Sequence, residues 1–361
     1  MILNQKLARN TLRKMISGFF SESKKIVVIG NYGKGNIGDE TMLIVLSEML
    51  NTHGIREIYV PSINPPLVKK LCNNLVEPVS MNIAPVKMIQ SDTIIVGGGT
   101  LFSQQAGVFI KLSLVLCLIL KLFNKKLFFI GFGVSKDTPI LLKPILKLSL
   151  SLADGIALRD TLSDVYLRQW GITKSILIPD LAYGINLPNN ANEYFFPELD
   201  FNTTNVGVVL SSSIDESSYQ KILQTFPSMF DNLISEMNRD INILFIMFSP
   251  GFSGMKSDEV LNFKIIDKMK NHDLVHILPY YPPLKIISLF IKLDLIIGMR
   301  YHSKIFSHIT DTPLIGIKVH DKDIAFHRET RFLDFELNDL LETDDARKGF
   351  NKCVMSLLKA N

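Results

Sequence analysis

Cysteine is scarce in this 361-residue chain: Cys72, Cys117 and Cys353 are odd in number and far apart. They support neither a disulfide framework nor a zinc site, and they fit a reducing compartment. Net charge is equally thin at +4, too little to argue for nucleic acid, and no RNA- or DNA-reading motif is present. No apolar run reaches the roughly 18–20 residues that cross a bilayer. The greasiest segment, Leu112 to Leu120, is bracketed by Lys111 and Lys121. It reads as a buried crossover helix over 108–124, covered by the first domain, with peripheral rest on a membrane surface as the second reading. The N-terminus is basic (Lys6, Arg9, Arg13, Lys14) but lacks an apolar core and a small-residue cleavage site, so it reads as no secretory signal. No metal-ligating cluster stands out. The expectation is a cytoplasmic globular protein, peripheral at most at the inner face of the membrane.

What is present is alternation. A chain of 361 residues suits two domains rather than one core. Apolar β-branched runs at 25–30, 55–60, 92–97, 126–131, 154–158 and 174–179 alternate with helical patterns at 38–53, 105–123, 139–152 and 160–170. Asn, Pro and Thr dominate residues 186–205 and break all periodicity, as a linker does. A second series follows, with strands near 205–211, 241–247, 274–278, 293–298 and 313–317, and helices at 216–237, 256–271 and 282–291. This is an α/β pattern of two Rossmann-like domains, each a parallel sheet covered on both faces, facing across a cleft. The boundaries expected are 20–188, 203–342 and a C-terminal helix in 343–361, which is placed back on the first domain.

Three strand ends in the first half carry glycine. The run Ile26 to Ile29 feeds Gly30-Asn-Tyr-Gly33-Lys-Gly35-Asn36-Ile-Gly38, and a helix opens with Asp39 and Glu40. A strand, a glycine loop and a helix N-terminus offer bare backbone N–H groups to an anion. The spacing is neither G-x-G-x-x-G nor a P-loop, because no Gly-Lys-Ser/Thr follows. An ordinary tight turn, with acids favouring the helix dipole, is the plainer reading. Gly97-Gly98-Gly99-Thr100 and Gly131-Phe-Gly133 end two more apolar runs. Glycine-bearing strand ends converge on the carboxyl edge of a parallel sheet, where open α/β sheets bind ligands.

Charged residues follow other strands. Arg159 and Asp160 stand at a strand-to-helix turn, where Asp160 also suits a helix cap. Asp180 ends the last strand of the first half as an unengaged carboxylate. Leu295-Ile-Ile-Gly298-Met-Arg300-Tyr-His302 ends a strand and places Arg300 and His302 on an extended loop. Arginine offers a fixed ionised fork to carboxylate or phosphate, and histidine donates or moves protons near neutral pH. Lys318, His320 and Lys322 follow the last strand.

In this order the pieces resemble the polysaccharide pyruvyl transferase family. The matching residues are Gly35-Asn36-x-Gly38-Asp39-Glu40, Gly97-Gly98-Gly99, Gly131-x-Gly133, Asp154-Gly-Ile-Ala-Leu-Arg159-Asp160, Pro179-Asp180 and Arg300-x-His302, spread over roughly residues 25 to 325. The resemblance implies a fold similar to the type B glycosyltransferases. It implies transfer of a carboxyethylidene (pyruvyl ketal) group from phosphoenolpyruvate to two hydroxyls of a sugar, on a cell-surface polysaccharide or its lipid-linked precursor. In family terms the residues matching Arg159, Arg300 and His302 hold the donor. The residue between Arg300 and His302 is often Leu in the family; here it is Tyr301.

The residues suit that chemistry. Phosphoenolpyruvate carries a carboxylate and a phosphate, so two arginines on opposite walls of one cleft make a natural clamp. Protonation at C3 wants a general acid and the two hydroxyl attacks want a base. His302 is the candidate acid or phosphate donor, and Asp39 or Glu40 the candidate base and acceptor binder. Gly35, Asn36, Gly38, Gly98, Gly99, Thr100, Asp180, Lys318 and Lys322 complete the substrate-binding set. Phosphoenolpyruvate enters as donor substrate, with no cofactor or metal. Two alternatives stay open: a nucleotide-sugar glycosyltransferase of the same architecture, and a sugar-binding module without catalysis.

Overall fold

The computed structural model describes the chain except for residues 1–4, 21–22, 100, 103–107, 135–137, 188–193, 201, 238–239, 252–255, 320–322, 324–325, 327–331 and 361. The chain divides between Ile185 and Asn186 into two compact α/β units.

The first unit is built on strands β1 (Lys25–Ile29), β2 (Glu57–Ser62), β3 (Glu77–Ser80), β4 (Thr93–Gly99), β5 (Lys126–Phe132), β6 (Gly155–Leu158) and β7 (Ser175–Leu177). They form one parallel sheet in the order β3-β2-β1-β4-β5-β6-β7. Val27, Ile29, Ile94, Val96 and Phe129 are buried in its core, as expected for strands covered on both faces. The helices are α1 (Gln5–Phe19), α2 (Ile37–Thr52), α3 (Pro65–Leu71), α4 (Ala84–Gln90), α5 (Val108–Lys121), α6 (Lys143–Leu152) and α7 (Thr161–Gln169). Strand order reverses between β1 and β4. Right-handed crossovers therefore put α4, α5, α6 and α7 on one face of the sheet and α2 and α3 on the other. Helix α1 precedes the stretch expected for the first domain, yet Ala8, Leu12 and Ile16 are fully buried in this unit, and Arg9 Nη2 donates to Ile185 O at 2.6 Å.

The second unit has strands β8 (Thr204–Val209), β9 (Ile241–Phe245), β10 (Val275–Ile277), β11 (Leu295–Gly298), β12 (Leu314–Lys318) and β13 (Leu333–Glu336). They pair in parallel in the order β10-β9-β8-β11-β12-β13, with the reversal between β8 and β11. Its helices include α8 (Glu216–Glu236), α9 (Asp258–Ile266), α10 (Pro283–Phe290) and α11 (Tyr301–Thr310). Phe226, Phe230 and Phe245 pack edge to face in its core. The C-terminal helix Asp344–Ala360 had been placed on the first domain. It instead buries Phe350 and Val354 in the second unit's own cluster and packs on α8.

The crossover helix α5 departs from expectation on one side. Ile110, Leu114, Cys117 and Leu120 are buried against the sheet. Val108, Leu112, Val115 and Ile119 form an outward stripe that stays exposed. A helix lying on a sheet has one side to bury, and α5 is apolar on both.

The glycine-bearing strand ends are sterically fixed. A Cβ on Gly97 would sit 2.0 Å from the carbonyl oxygen of Ile130 on the neighbouring strand, and that backbone cannot yield. Gly349, inside the C-terminal helix, faces open space. Gly97→Ala is expected to destabilise the chain by several times the roughly 1 kcal/mol that Gly349→Ala should add through helix propensity. Chemical unfolding of the two variants measures this, and a wild-type midpoint for Gly97→Ala contradicts the packing.

Candidate active site

The first unit's polar residues gather along the carboxyl edges of β1, β4, β5 and β6. Asn36 caps α2, its Oδ1 accepting from the Gly38 amide at 3.1 Å. Tyr32, which carried no signal in the sequence, is fully buried and donates from its hydroxyl to Gly97 O at 2.9 Å. It ties the first glycine loop to the second. Gly98 and Gly99 have φ of +79° and +85°, and a Cβ on Gly99 would lie 2.7 Å from Asp39 Oδ1. Asp39 therefore rests directly on the second glycine cluster. The third joins it: the Gly133 amide donates to Gly99 O at 3.1 Å. Tyr32, Gly97 to Gly99, Asp39 and Gly133 thus form one continuous edge at the point where strand order reverses, the position open α/β sheets use for ligands.

Glu40 is 1% exposed, and its Oε1 accepts from the amides of Gly33 at 2.8 Å and Gly35 at 3.1 Å. Burial pushes its carboxyl up to about 8, against the pull of the Gly35 and Gly33 amides and with help from Asp39. A carboxyl so placed clips the loop shut. Of the two acids, only the half-buried Asp39 keeps partial access to solvent.

Arg159 follows β6. Its buried guanidinium reaches Asp180 Oδ2 through Nη1 at 3.2 Å, with Asp160 Oδ2 3.9 Å from Nε. A Cβ on Gly133 would stand 3.3 Å from Arg159 Nε, so this arginine lies against the third glycine strand end. Asp160 caps α7, accepting from the Ser163 amide at 2.7 Å. Asp180, expected to be unengaged, is 2% exposed and divides its oxygens between Arg159 and the Ala182 amide at 2.9 Å. A buried carboxylate needs such partners to offset its lost hydration.

In the second unit Arg300 and His302 follow β11, beside the reversal point. They do not lie on an extended loop. Arg300 is the residue before α11, and Tyr301 and His302 are its first helical residues. His302 is 9% exposed and packs edge to face with Tyr301, so the imidazole sits in the first turn of a ten-residue helix. Backbone N–H groups in that turn favour an anion.

The partner of Arg300 was not legible in the sequence. Asp258, fully buried at the start of α9, takes Arg300 side-on, Nε to Oδ2 at 2.8 Å and Nη2 to Oδ1. Asp258 also accepts from the Ser212 amide at 3.0 Å, the Ser212 hydroxyl at 2.9 Å and the Ser249 amide at 2.8 Å. Side-on capture engages Nε and Nη2 and leaves the Nη1 edge of Arg300 directed away from Asp258. Nearby, Lys304 is fully buried between Ile317 O and Asp323. Lys318 pairs with Glu336 at 2.6 Å. Thr100 and Lys322, both expected at the site, and His320 lie outside the described residues. Among the described residues no group of acids, histidines and cysteines is arranged to hold a metal ion.

A profile of the polysaccharide pyruvyl transferase family matches residues 36–321, most of the chain. The chain belongs to that family. The match takes in the edge from Asn36 to Asp180 and the segment from Asp258 to Lys318. No curated protein sequence matches the chain. Its fold is shared with solved structures of low identity. A UDP-GlcNAc 2-epimerase of Methanocaldococcus jannaschii, in complex with UDP-GlcNAc and UDP, is 14% identical with a TM-score of 0.60, over 93% of this chain and 92% of that one. A putative UDP-N-acetylglucosamine 2-epimerase of Listeria monocytogenes is 11% identical with a TM-score of 0.60, over 91% of each chain. The E. coli ADP-heptose LPS heptosyltransferase II is 12% identical with a TM-score of 0.51, over 93% of this chain and 99% of that one. These place this family member in the type B glycosyltransferase-like fold class, two parallel-sheet α/β units in one chain.

Two outcomes are expected of the buried carboxyls. Because the Glu40 carboxyl is raised in the folded state from 4.5 to about 8, the fold binds a proton that the unfolded chain releases, and stability falls as pH rises through that window. Glu40→Gln should keep one acceptor for the loop amides and flatten the dependence. Melting temperature against pH decides it, and parallel curves for the two proteins contradict the assignment. Asp258→Ala leaves the half-buried Arg300 guanidinium and the Ser212 and Ser249 amides without their fully buried carboxylate, and is expected to cost about 3–5 kcal/mol in urea unfolding. A loss below about 1 kcal/mol, as for an exposed pair, would contradict the role given to Asp258.

Proposed function

We propose that the chain transfers a carboxyethylidene group from phosphoenolpyruvate to two hydroxyls of a saccharide, closing a cyclic ketal and releasing phosphate. The acceptor is part of a cell-surface polysaccharide or its lipid-linked precursor. The observation that carries this reading is Arg300, held side-on by Asp258 at the head of α11 with His302 in the first turn. A guanidinium fixed by a buried carboxylate, beside helix N–H groups, suits a small polyanion.

In this reading Arg159 and Arg300 are the donor-binding arginines that the family resemblance implies, with Lys318 adding positive charge beside Arg300's sheet edge. A proton is delivered to C3 of phosphoenolpyruvate, converting its methylene to methyl and leaving C2 cation-like. A sugar hydroxyl attacks C2 and gives its proton to a base. The C2–O bond to phosphate then breaks, phosphate departs with the electron pair, and the second hydroxyl attacks C2 and closes the ring, its proton passing to the released phosphate. His302 is the group proposed to protonate C3 or to steady the phosphate. Asp39, at the edge formed by the glycine clusters, is the proposed base for the acceptor, and Glu40 holds that edge in shape. Asn36, Gly98 and Gly99 border the acceptor, and Asp180 orients Arg159.

Phosphate release is the direct readout. The full-length protein should release phosphate only when phosphoenolpyruvate and a suitable glycan are both present. His302→Gln preserves a hydrogen-bond donor but transfers no proton at neutral pH, so turnover should fall by roughly 10²–10⁴-fold while donor affinity holds. Near-wild-type turnover would leave His302 a phosphate ligand only. Arg159→Lys and Arg300→Lys should each raise KM for phosphoenolpyruvate. The epimerase in complex with UDP-GlcNAc and the ADP-heptose heptosyltransferase motivate the second reading, a nucleotide-sugar glycosyltransferase. The same panel run with nucleotide sugars tests it, and sugar transfer without any dependence on phosphoenolpyruvate overturns the first reading.

A further inference from the structure

The helix-covered face of the first unit that carries α5 leaves an apolar surface bare. Along α5, Val108, Leu112, Val115 and Ile119 recur every three or four residues on the outward side, and Leu122 and Phe123 extend the stripe past its end. Helix α6 packs against α5. Its approach and outer side add Ile140, Leu141, Leu148 and Leu152, with Ile140 81% and Leu141 88% exposed. On the other flank α4 shows Val86 and Ile89. Single exposed leucines need no explanation, but a contiguous set across three adjacent helices does.

Charge identifies what covers it. Residues 108–126 and 138–152, which make up α5, α6 and their adjoining turns, contain six lysines and neither aspartate nor glutamate. Lys121 is held by Asp154 at 2.8 Å. Lys111, Lys143 and Lys147 interrupt or border the apolar stripes. A second copy of this chain seated on the same face would bring lysines against lysines. Anionic headgroups above an acyl layer match both the apolar stripe and the lysine rim. Among the described residues no helix is long and apolar enough to cross a membrane, so the contact is one of lying on the surface.

We propose that the α4–α5–α6 face docks on an anionic lipid bilayer. Each crossover helix starts where the preceding strand ends, so Val108, Ile140 and Leu141 lie towards the carboxyl edge that carries Gly97 to Gly99 and Gly131 to Gly133. Leu122, Phe123 and Leu152 lie towards the opposite edge, so the face docks along its whole length and sets the carboxyl edge beside the headgroup layer. Docking itself stands on the exposed face alone; its use for presenting a lipid-carried saccharide rests on the proposed function.

Flotation of the full chain with vesicles, in the absence of substrate, tests it. Vesicles of phosphatidylcholine mixed with phosphatidylglycerol should carry the protein upward, and vesicles of phosphatidylcholine alone should carry far less. The triple variant Leu112→Gln, Val115→Gln, Ile119→Gln changes only exposed positions. It should keep its circular dichroism and melting temperature while losing at least about tenfold in partitioning. Lys111→Gln with Lys143→Gln and Lys147→Gln should weaken capture by the anionic vesicles alone. Failure of the wild type to float, equal capture by neutral vesicles, or undiminished capture of the triple variant overturns the proposal. So does a wild-type dimer in light scattering that the triple variant abolishes, since the face would then join two copies. None of these outcomes bears on phosphoenolpyruvate-dependent phosphate release, so this proposal and the proposed reaction fail separately.

Discussion

Four buried carboxyl groups set the polar geometry of this protein. Glu40 gathers the amides of the first glycine loop, Asp180 holds Arg159, Asp258 holds Arg300 and Asp323 holds Lys304. A carboxyl removed from water is tolerated only when N–H groups or a cation replace its hydration. Each of these four therefore dictates where a loop or a basic side chain must lie. Both arginines consequently stand at strand ends with their torsions already restrained. A guanidinium fixed before a ligand arrives has less side-chain entropy to lose on binding, which favours a small anion over a loosely matched surface.

Glycine supplies the complementary constraint. The loops after β1, β4 and β5 meet because glycine lets backbone approach backbone or a side chain at distances that a Cβ would block. Asp39 on Gly99, Tyr32 on Gly98 and the Ile130 backbone on Gly97 are three instances along one sheet edge, and Arg159 lies close against Gly133. The second unit uses another device. Ser212 and Ser249, a few residues beyond the ends of β8 and β9, hand their amides to Asp258, which passes its remaining capacity to Arg300. The reversal points of both sheets are thus occupied by polar groups whose positions follow from neighbouring strands.

The sequence was most legible where strands are buried on both faces, since runs such as Ile26 to Ile29 and Leu295 to Ile297 carry the signal in consecutive residues. It was least legible where a local rule was broken. Strand β3, Glu77-Pro-Val-Ser80, holds a proline that argues against a strand, yet β3 is at the sheet edge, where proline is tolerated. Helix α11 did not stand out because the buried His302, Ser303, Lys304 and Ser307 dilute the apolar period of Tyr301, Ile305, Phe306 and Ile309 over only ten residues. Asp258 follows Ser257 as an ordinary helix start would, and nothing local tells of a partner 42 residues away. The outward stripe of α5 was expected under cover because apolar residues on every side of a helix read the same whether the outer side is buried or bare. Arg300-x-His302, the glycine clusters and Asp39 stood out in the sequence because chemistry-bearing residues follow strand ends, and each unit places its own at a carboxyl edge, although the carboxylates that position them did not announce themselves.

The most direct test of the central claim is the structure of the product. The protein would be incubated in deuterium oxide with phosphoenolpyruvate and a saccharide acceptor, and the purified product examined by nuclear magnetic resonance and mass spectrometry. The account predicts a saccharide bearing a cyclic ketal across two former hydroxyls, whose methyl group carries deuterium taken up at C3. A product enlarged by a sugar, or an acceptor unchanged while phosphoenolpyruvate is consumed, would contradict it.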